Sequence, residues 1–229
     1  MANSPQNPRE HRRTQFQIDR IAFFSDAVIA IAITLMILEI KIPPLGKDTT
    51  VRQIFSKYGA EAYLHFLALI ICYWSIGNLW IRHHDLFEHI INYDKHLIRI
   101  NLLFLLSIMM LPVSISFMFE INNPQHLKTV TFFINLFFCN LTYYLMVLIV
   151  FNRKTNFSSL IGTEQAKKSK SIAFNVSVMF LLVTIVSVFW MRWFFIPFLV
   201  WPLVTRITEK IQRSRRKNLL IVKKLETPS

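Results

Sequence analysis

Apolar residues run along this chain in six long blocks separated by short polar connections. The blocks cover roughly Ile21–Ile42, Ala60–Ile81, Leu97–Phe119, Thr129–Phe151, Ser171–Trp190 and Trp193–Ile207. A helix needs about 20 consecutive apolar residues to cross the ~30 Å hydrocarbon layer of a membrane. The blocks meet or approach that length; the sixth is the shortest and holds Pro197 and Pro202. The pattern predicts an all-α, polytopic membrane protein with six transmembrane helices. Residues 1–19 read as a cytoplasmic N-terminal segment, 20–208 as the six-helix membrane domain, and 209–229 as a basic cytoplasmic tail.

The first block is the least ordinary. In "RIAFFSDAVIAIAITLMILEI" (residues 20–40) an arginine, a serine–aspartate pair and a threonine interrupt the apolar run. Insertion scales place an Asp or Arg at mid-span about 2.5–3.5 kcal/mol uphill. Helical geometry sorts these residues by face. At about 100° per residue, Ile31, Leu35 and Leu38 fall within about 60° of one another. Thr34 flanks them, and Phe24 and Ala27 extend the stripe toward the N-terminus. Asp26 lies about 140° from Ile31 and Ser25 about 120°. Polar groups at this depth cannot face lipid and must point at other helices. Periodicity alone leaves the aliphatic stripe free to face lipid, the bundle core or a pore.

Composition agrees with a membrane location. Of 229 residues 53% are hydrophobic and only four are glycine, which leaves too little polar surface for a soluble domain of this size. The formal net charge of +13 raises the question of nucleic acid. With six spans and both ends on one side, twenty Lys and Arg fall on the side of the termini and six on the other. The positive-inside rule therefore places both termini in the cytoplasm of a cell (inner) membrane protein. The tail "RITEKIQRSRRKNLLIVKK" reads as a juxtamembrane helix near anionic headgroups, so the partner is the lipid bilayer and not nucleic acid. The first block is too long for a signal-peptide core and no A-x-A-like site follows it, so it is read as retained. Cys72 and Cys139 lie inside blocks 2 and 4, where they serve as small buried hydrophobes.

Asp26 has polar partners within reach. Block 2 ends "NLWIRHHDLFEHI", offering Trp80, His83 and His84, and block 3 brings Asn101 to the same depth. Indole, imidazole and amide N–H groups could all donate to the carboxylate and offset its burial. No metal site is expected, because adjacent His residues point about 100° apart on a helix and no third ligand is evident. No enzyme is expected either, since no Ser or Cys is positioned beside the Asp/His cluster as a nucleophile. A secondary transporter would break its helices around a midplane site. Helix 1 has no Gly or Pro before Pro43, and its polar cluster sits near one membrane face.

These residues carry a family resemblance. Arg20-x-x-x-Phe24-Ser25-Asp26, followed by an aliphatic run with Thr34-Leu35 and closing at Pro43, resembles the first helix of the TMEM175 family of potassium channels. "WIRHHDLF" (Trp80 to Phe87) and "NLLFLLSIMMLP" (Asn101 to Pro112) are similar to that family's second and third helices. In helices 4–6 the likeness is only one of composition. A single six-helix repeat resembles the prokaryotic members, which the family pattern makes homotetramers. The resemblance implies that four copies of helix 1 line a central axis, with the narrowest layer at Ile31 and further layers at Leu35 and Leu38, beside Thr34. It also implies that Phe-Ser-Asp ties helix 1 to its neighbours, through a network of Arg20, Ser25, Asp26, Trp80, His83 and Asn101. The implied function is a potassium-permeable cation channel, without cofactor, whose permeant ion is K⁺.

Physical chemistry gives that expectation a mechanism. The sequence has no T-V-G-Y-G loop to supply a ring of backbone carbonyls. An ion passing an isoleucine ring loses water and gains few ligands in return. Potassium holds its shell less tightly than sodium, so K⁺ would pass more readily, and the same ring could gate by dewetting. Glu39, at the outer end, is read either as concentrating cations or as a solvated cap. A secondary transporter, or a proton-permeable protein using the Asp/His cluster, is the alternative reading.

Overall fold

The computed structural model describes residues 8–39, 51–120, 124–190, 196–197 and 200. Within them the chain forms five α-helices: α1 (Pro8–Leu38), α2 (Val51–Glu88), α3 (Lys95–Phe119), α4 (Gln125–Val150) and α5 (Glu164–Phe189). Four of these, α1, α3, α4 and α5, are long and apolar enough to cross a membrane. The second block lies inside α2. The sixth block and the basic tail fall almost wholly outside the described residues.

Helix boundaries follow local chemistry. Asp94 caps α3 by accepting from the Leu97 N–H at 2.8 Å, and Thr163 caps α5 by accepting from Ala166 N–H at 3.2 Å. Pro124 precedes α4, where its missing N–H is harmless. Pro112 sits inside α3 and is buried, as membrane helices tolerate when neighbours cover the freed carbonyl. Each of the five helices starts ahead of its apolar block, α1 and α2 by the most. The first continues backward through "PREHRRTQFQID" to Pro8, ahead of Ile21, and α2 runs on past Ile81 to Glu88. Apolar length marks what lies in hydrocarbon, whereas the helix itself continues through residues of good propensity until a cap or breaker stops it.

α3 packs against α4, and α4 against α5, in a row, while α1 lies against α3 and α2. The core runs through Phe104, Ile108, Leu111 and Ile115 of α3, and Leu136, Met146 and Val147 of α4. At one end the 2–3 and 4–5 connections meet. Ile91 N–H donates to the Phe157 carbonyl at 2.8 Å, and the Lys170 ammonium donates to the Phe151 carbonyl at 3.0 Å, closing the C-terminus of α4. Gly162, at φ +85°, supplies the left-handed residue just before α5. Two of the basic connections assigned above to one membrane side therefore touch each other.

Candidate functional site

The site is built on α1. Its inward stripe is Ile18, Ser25, Ile29, Ala32 and Met36, none more than 2% exposed. These positions repeat at helical spacing and form one face. On the opposite side Ile31, Leu35 and Leu38 are 56%, 43% and 73% exposed in the single chain, with Thr34 and Phe24 also exposed. The aliphatic stripe is thus unburied by its own chain. The Thr34 hydroxyl donates to the Ile31 carbonyl at 2.9 Å, so its polar atom is occupied within the helix.

Ser25 begins a chain of donors linking three helices. His83 of α2 donates through Nε2 to Asn101 Oδ1 of α3 at 2.9 Å. Asn101 Nδ2 donates to Ser25 Oγ at 2.9 Å, and Ser25 Oγ donates back to the Ile21 carbonyl at 2.9 Å. All three side chains are at most 1% exposed. Because the amide oxygen can only accept, the chain fixes the Nε2–H form of the imidazole. His83 is also sandwiched between Phe87 and Phe104, at 4.3 and 5.3 Å between ring centres. The relay is a pin that joins three helices.

Asp26 works separately. It accepts from the Trp80 indole N–H at 2.8 Å, a contact half open to the surroundings. Neither His83 nor Asn101 hydrogen-bonds the carboxylate; Asn101 turns to Ser25, about 100° away from Asp26 on the helix, and His83 turns to Asn101. His84 approaches the Trp80 ring at 6.0 Å. Arg20 is exposed and stands apart from both contacts. Among the described residues no group of His, Cys, Asp and Glu is arranged to hold a metal ion.

A second polar cluster lies one residue along α2. Arg82 Nη2 donates to Asn140 Oδ1 of α4 at 3.2 Å, and its guanidinium carbon sits 5.1 Å from the centre of the Tyr143 ring. Tyr143 in turn donates its hydroxyl to the Arg82 carbonyl at 2.9 Å, and Ser177 of α5 donates to the Asn140 carbonyl at 2.8 Å. Sequence reasoning counted Arg82 only as a boundary charge and passed over Asn140. The available signal was an asparagine in the middle of the fourth apolar block, since a buried amide needs partners.

Comparison with known proteins adds the following. Residues 20–112 match the family model described as "Endosomal/lysosomal potassium channel TMEM175". A potassium channel of Streptomyces collinus is 36% identical over 93 residues, covering 41% of this chain and 43% of that protein. A potassium channel of Chamaesiphon minutus is 31% identical over 140 residues, covering 61% and 64%. The chain thus spans less than two thirds of these relatives. The bovine protein named endosomal/lysosomal proton channel TMEM175 is 37% identical over 98 residues, 38% of this chain and 20% of that protein. Among solved structures, a lysosomal potassium-selective channel TMEM175 homologue from Chamaesiphon minutus superposes with a TM-score of 0.62 at 19% identity. That likeness covers 86% of this chain and 97% of that one, and shows the fold. The residues that match the family model, 20–112, carry both the Ser25 relay and the exposed stripe.

Proposed function

We propose that this TMEM175-related chain forms a potassium-permeable channel, a homotetramer in the cell membrane with both termini cytoplasmic. The observation that carries the reading is the two-sidedness of α1: Ile31, Leu35 and Leu38 are exposed on one face, while Ser25, Ile29 and Met36 are locked into the bundle on the other. One stripe cannot enclose an axis, and closed cyclic symmetry repeats it around one. Four Ile31 side chains then make the narrowest layer, with Leu35 and Leu38 beyond it and Thr34 beside them. K⁺ crosses that ring ahead of Na⁺ because it gives up its water more easily, and slight narrowing closes the path by dewetting. The role of the Ser25–Asn101–His83 chain is to hold α1 at the rotation that keeps the stripe on the axis.

Proton permeation is the second reading, favoured by the name of the bovine relative. Both are tested by bilayer recording of purified protein under a K⁺/Na⁺ gradient and then a pH gradient, with wild type and Ile31→Asn. The channel reading expects a K⁺-favouring reversal potential in wild type. In Ile31→Asn it expects larger currents and a K⁺/Na⁺ ratio moving toward one, because the amide wets the ring. A mutant that folds normally with unchanged current and selectivity removes Ile31 from the conduction path.

A further inference from the structure

Beside the second polar cluster, at the end where the 2–3 and 4–5 connections meet, α2, α4 and α5 line a half-open cavity of about 340 Å³. Its wall brings together Arg82, Asp85 and Glu88 of α2, His89 just beyond it, Tyr143 of α4 and Gln165 of α5. The three α2 residues are one cation and two acidic side chains. Arg82 has spent Nη2 on Asn140, and its Nε reaches the Asn78 carbonyl only at 3.3 Å. Nη1 is buried with no acceptor among the described residues. A buried guanidinium N–H without an acceptor is a costly group to leave unmatched. Asp85 and Glu88 are exposed and engage in no ion pair among the described residues. Gln165 and His89 contact each other at 3.2 Å across the rim.

The mixture of charges selects the ligand. A simple anion drawn to Arg82 meets two carboxylates, and a simple cation drawn to the carboxylates meets a buried guanidinium. A zwitterion satisfies both. Arg82 adjoins Ile81, the last residue of the apolar block, with Asp85 about 4.5 Å and Glu88 about 9 Å further along the helix toward the polar end. In a glycerophospholipid the phosphate is bonded on the acyl-chain side and the amine lies outward, across an ethylene bridge. That order matches cation inside, carboxylates outside. Two carboxylates accepting hydrogen bonds call for a primary ammonium, because a quaternary one has no N–H to give.

We propose that this cavity is a headgroup site for a phospholipid of the phosphoethanolamine type, with the phosphate at Arg82 and the ammonium at Asp85 and Glu88. Seating the phosphate on Nη1 takes a small turn of the guanidinium over the Tyr143 ring. The site lies away from the α1 stripe and does not depend on ion conduction; it rests only on the bundle lying in a membrane with this end at the depth of the headgroups.

The test is native mass spectrometry of the full chain in mild detergent. Phosphatidylethanolamine, phosphatidylcholine and phosphatidylglycerol are titrated separately against wild type, Asp85→Asn/Glu88→Gln and Arg82→Gln. Thermal melts of each variant check folding, and the carboxylate pair is exposed, so its double variant remains informative if Arg82→Gln fails to fold. Wild type is expected to retain phosphatidylethanolamine about tenfold more tightly than the other two lipids, as one charge-assisted hydrogen bond implies. The double variant should lose that preference while keeping its phosphatidylglycerol binding. Equal retention of all three lipids, or a preference surviving in the double variant, overturns the proposal. Competition with soluble O-phosphoethanolamine separates the sources: displacement of the lipid at comparable concentration makes the ligand the free headgroup and overturns the lipid assignment.

Discussion

The two faces of α1 are built from nearly the same residues and meet opposite fates. Ile29 and Ile31 are two positions apart and chemically identical, yet Ile29 is 1% exposed and Ile31 is 56% exposed. The helix as a whole is sparsely covered. Only 22% of its apolar segment is buried within the protomer, against 56% in α3 and 50% in α4. Hydrophobicity therefore does not decide which face turns inward, because lipid is as hospitable to isoleucine as a protein core is. Ser25 decides it. A hydroxyl seated on the Asn101 amide at 2.9 Å fixes the rotation of the helix, and every aliphatic residue above it follows at 100° steps.

The sharpest way to break this contrast is to place the same amide on each face. Ile29→Asn puts a carboxamide in place of a fully buried aliphatic side chain, and should cost about 3–5 kcal/mol from lost packing and unmet hydrogen bonds. Ile31→Asn should leave the melting temperature within a few degrees of wild type. Thermal melts in detergent compare the two directly. Equal losses from both substitutions would show that the outer face is packed as tightly as the inner one.

Removing the lock comes next. Asn101→Leu keeps volume but strands His83 Nε2 between two phenyl rings, at about 1–3 kcal/mol. Ser25 still donates to the Ile21 carbonyl, which limits the damage to that range. The expected readout is a lower melting temperature together with increased protease or thiol-reagent access to α1. A variant as stable as wild type would mean that packing alone sets the helix rotation.

Much of this was legible before any coordinates. Four of the apolar blocks coincide with helices long and apolar enough to cross a membrane, and a fifth lies inside α2. Ser25 and Asp26 could be placed away from the aliphatic stripe, since helical angle needs only residue number. Which donor meets which acceptor could not be read. Trp80, His83 and Asn101 were all plausible partners for one carboxylate, and only the packing of α2 and α3 sends Asn101 to Ser25 and His83 to Asn101. Arg82 was hidden for a different reason. A cation at the end of an apolar block normally reaches for headgroups, and nothing local indicates that Asn140 and Tyr143, about 60 residues later, will cover it. The N-terminal extension of α1 to Pro8 escaped because hydropathy marks the membrane and not the helix.

Asp26 should matter less than Asn101. Among the described residues it holds a single hydrogen-bond partner, the Trp80 indole at 2.8 Å, and the pair is partly open. Asp26→Ala leaves one donor able to find another acceptor, so the expected loss is about 1 kcal/mol, with ion preference unchanged. Size-exclusion profiles and melts check the first expectation and reversal potentials the second. A well-assembled Asp26→Ala channel with altered selectivity would move the carboxylate to the axis and invert the assigned rotation of α1.

The smallest effect on stability should come from Leu38→Ala. Leu38 is 73% exposed, so truncation removes few contacts within the protomer and should shift its stability by no more than about 0.5 kcal/mol. Its value lies in separating two ways of being exposed. On the axis, two turns beyond Ile31, four alanines widen the path without touching the narrowest layer. Single-channel current should then rise modestly while the K⁺/Na⁺ ratio stays at the wild-type value. Between protomers, the same change would thin a packed contact, and native mass spectrometry would show tetramers falling apart at lower collision energy. Against lipid, neither measurement would move. A rise in current with intact tetramers places Leu38 on the conduction path; loss of tetramers with unchanged unitary current places it in the interface and turns the stripe away from the pore at that level.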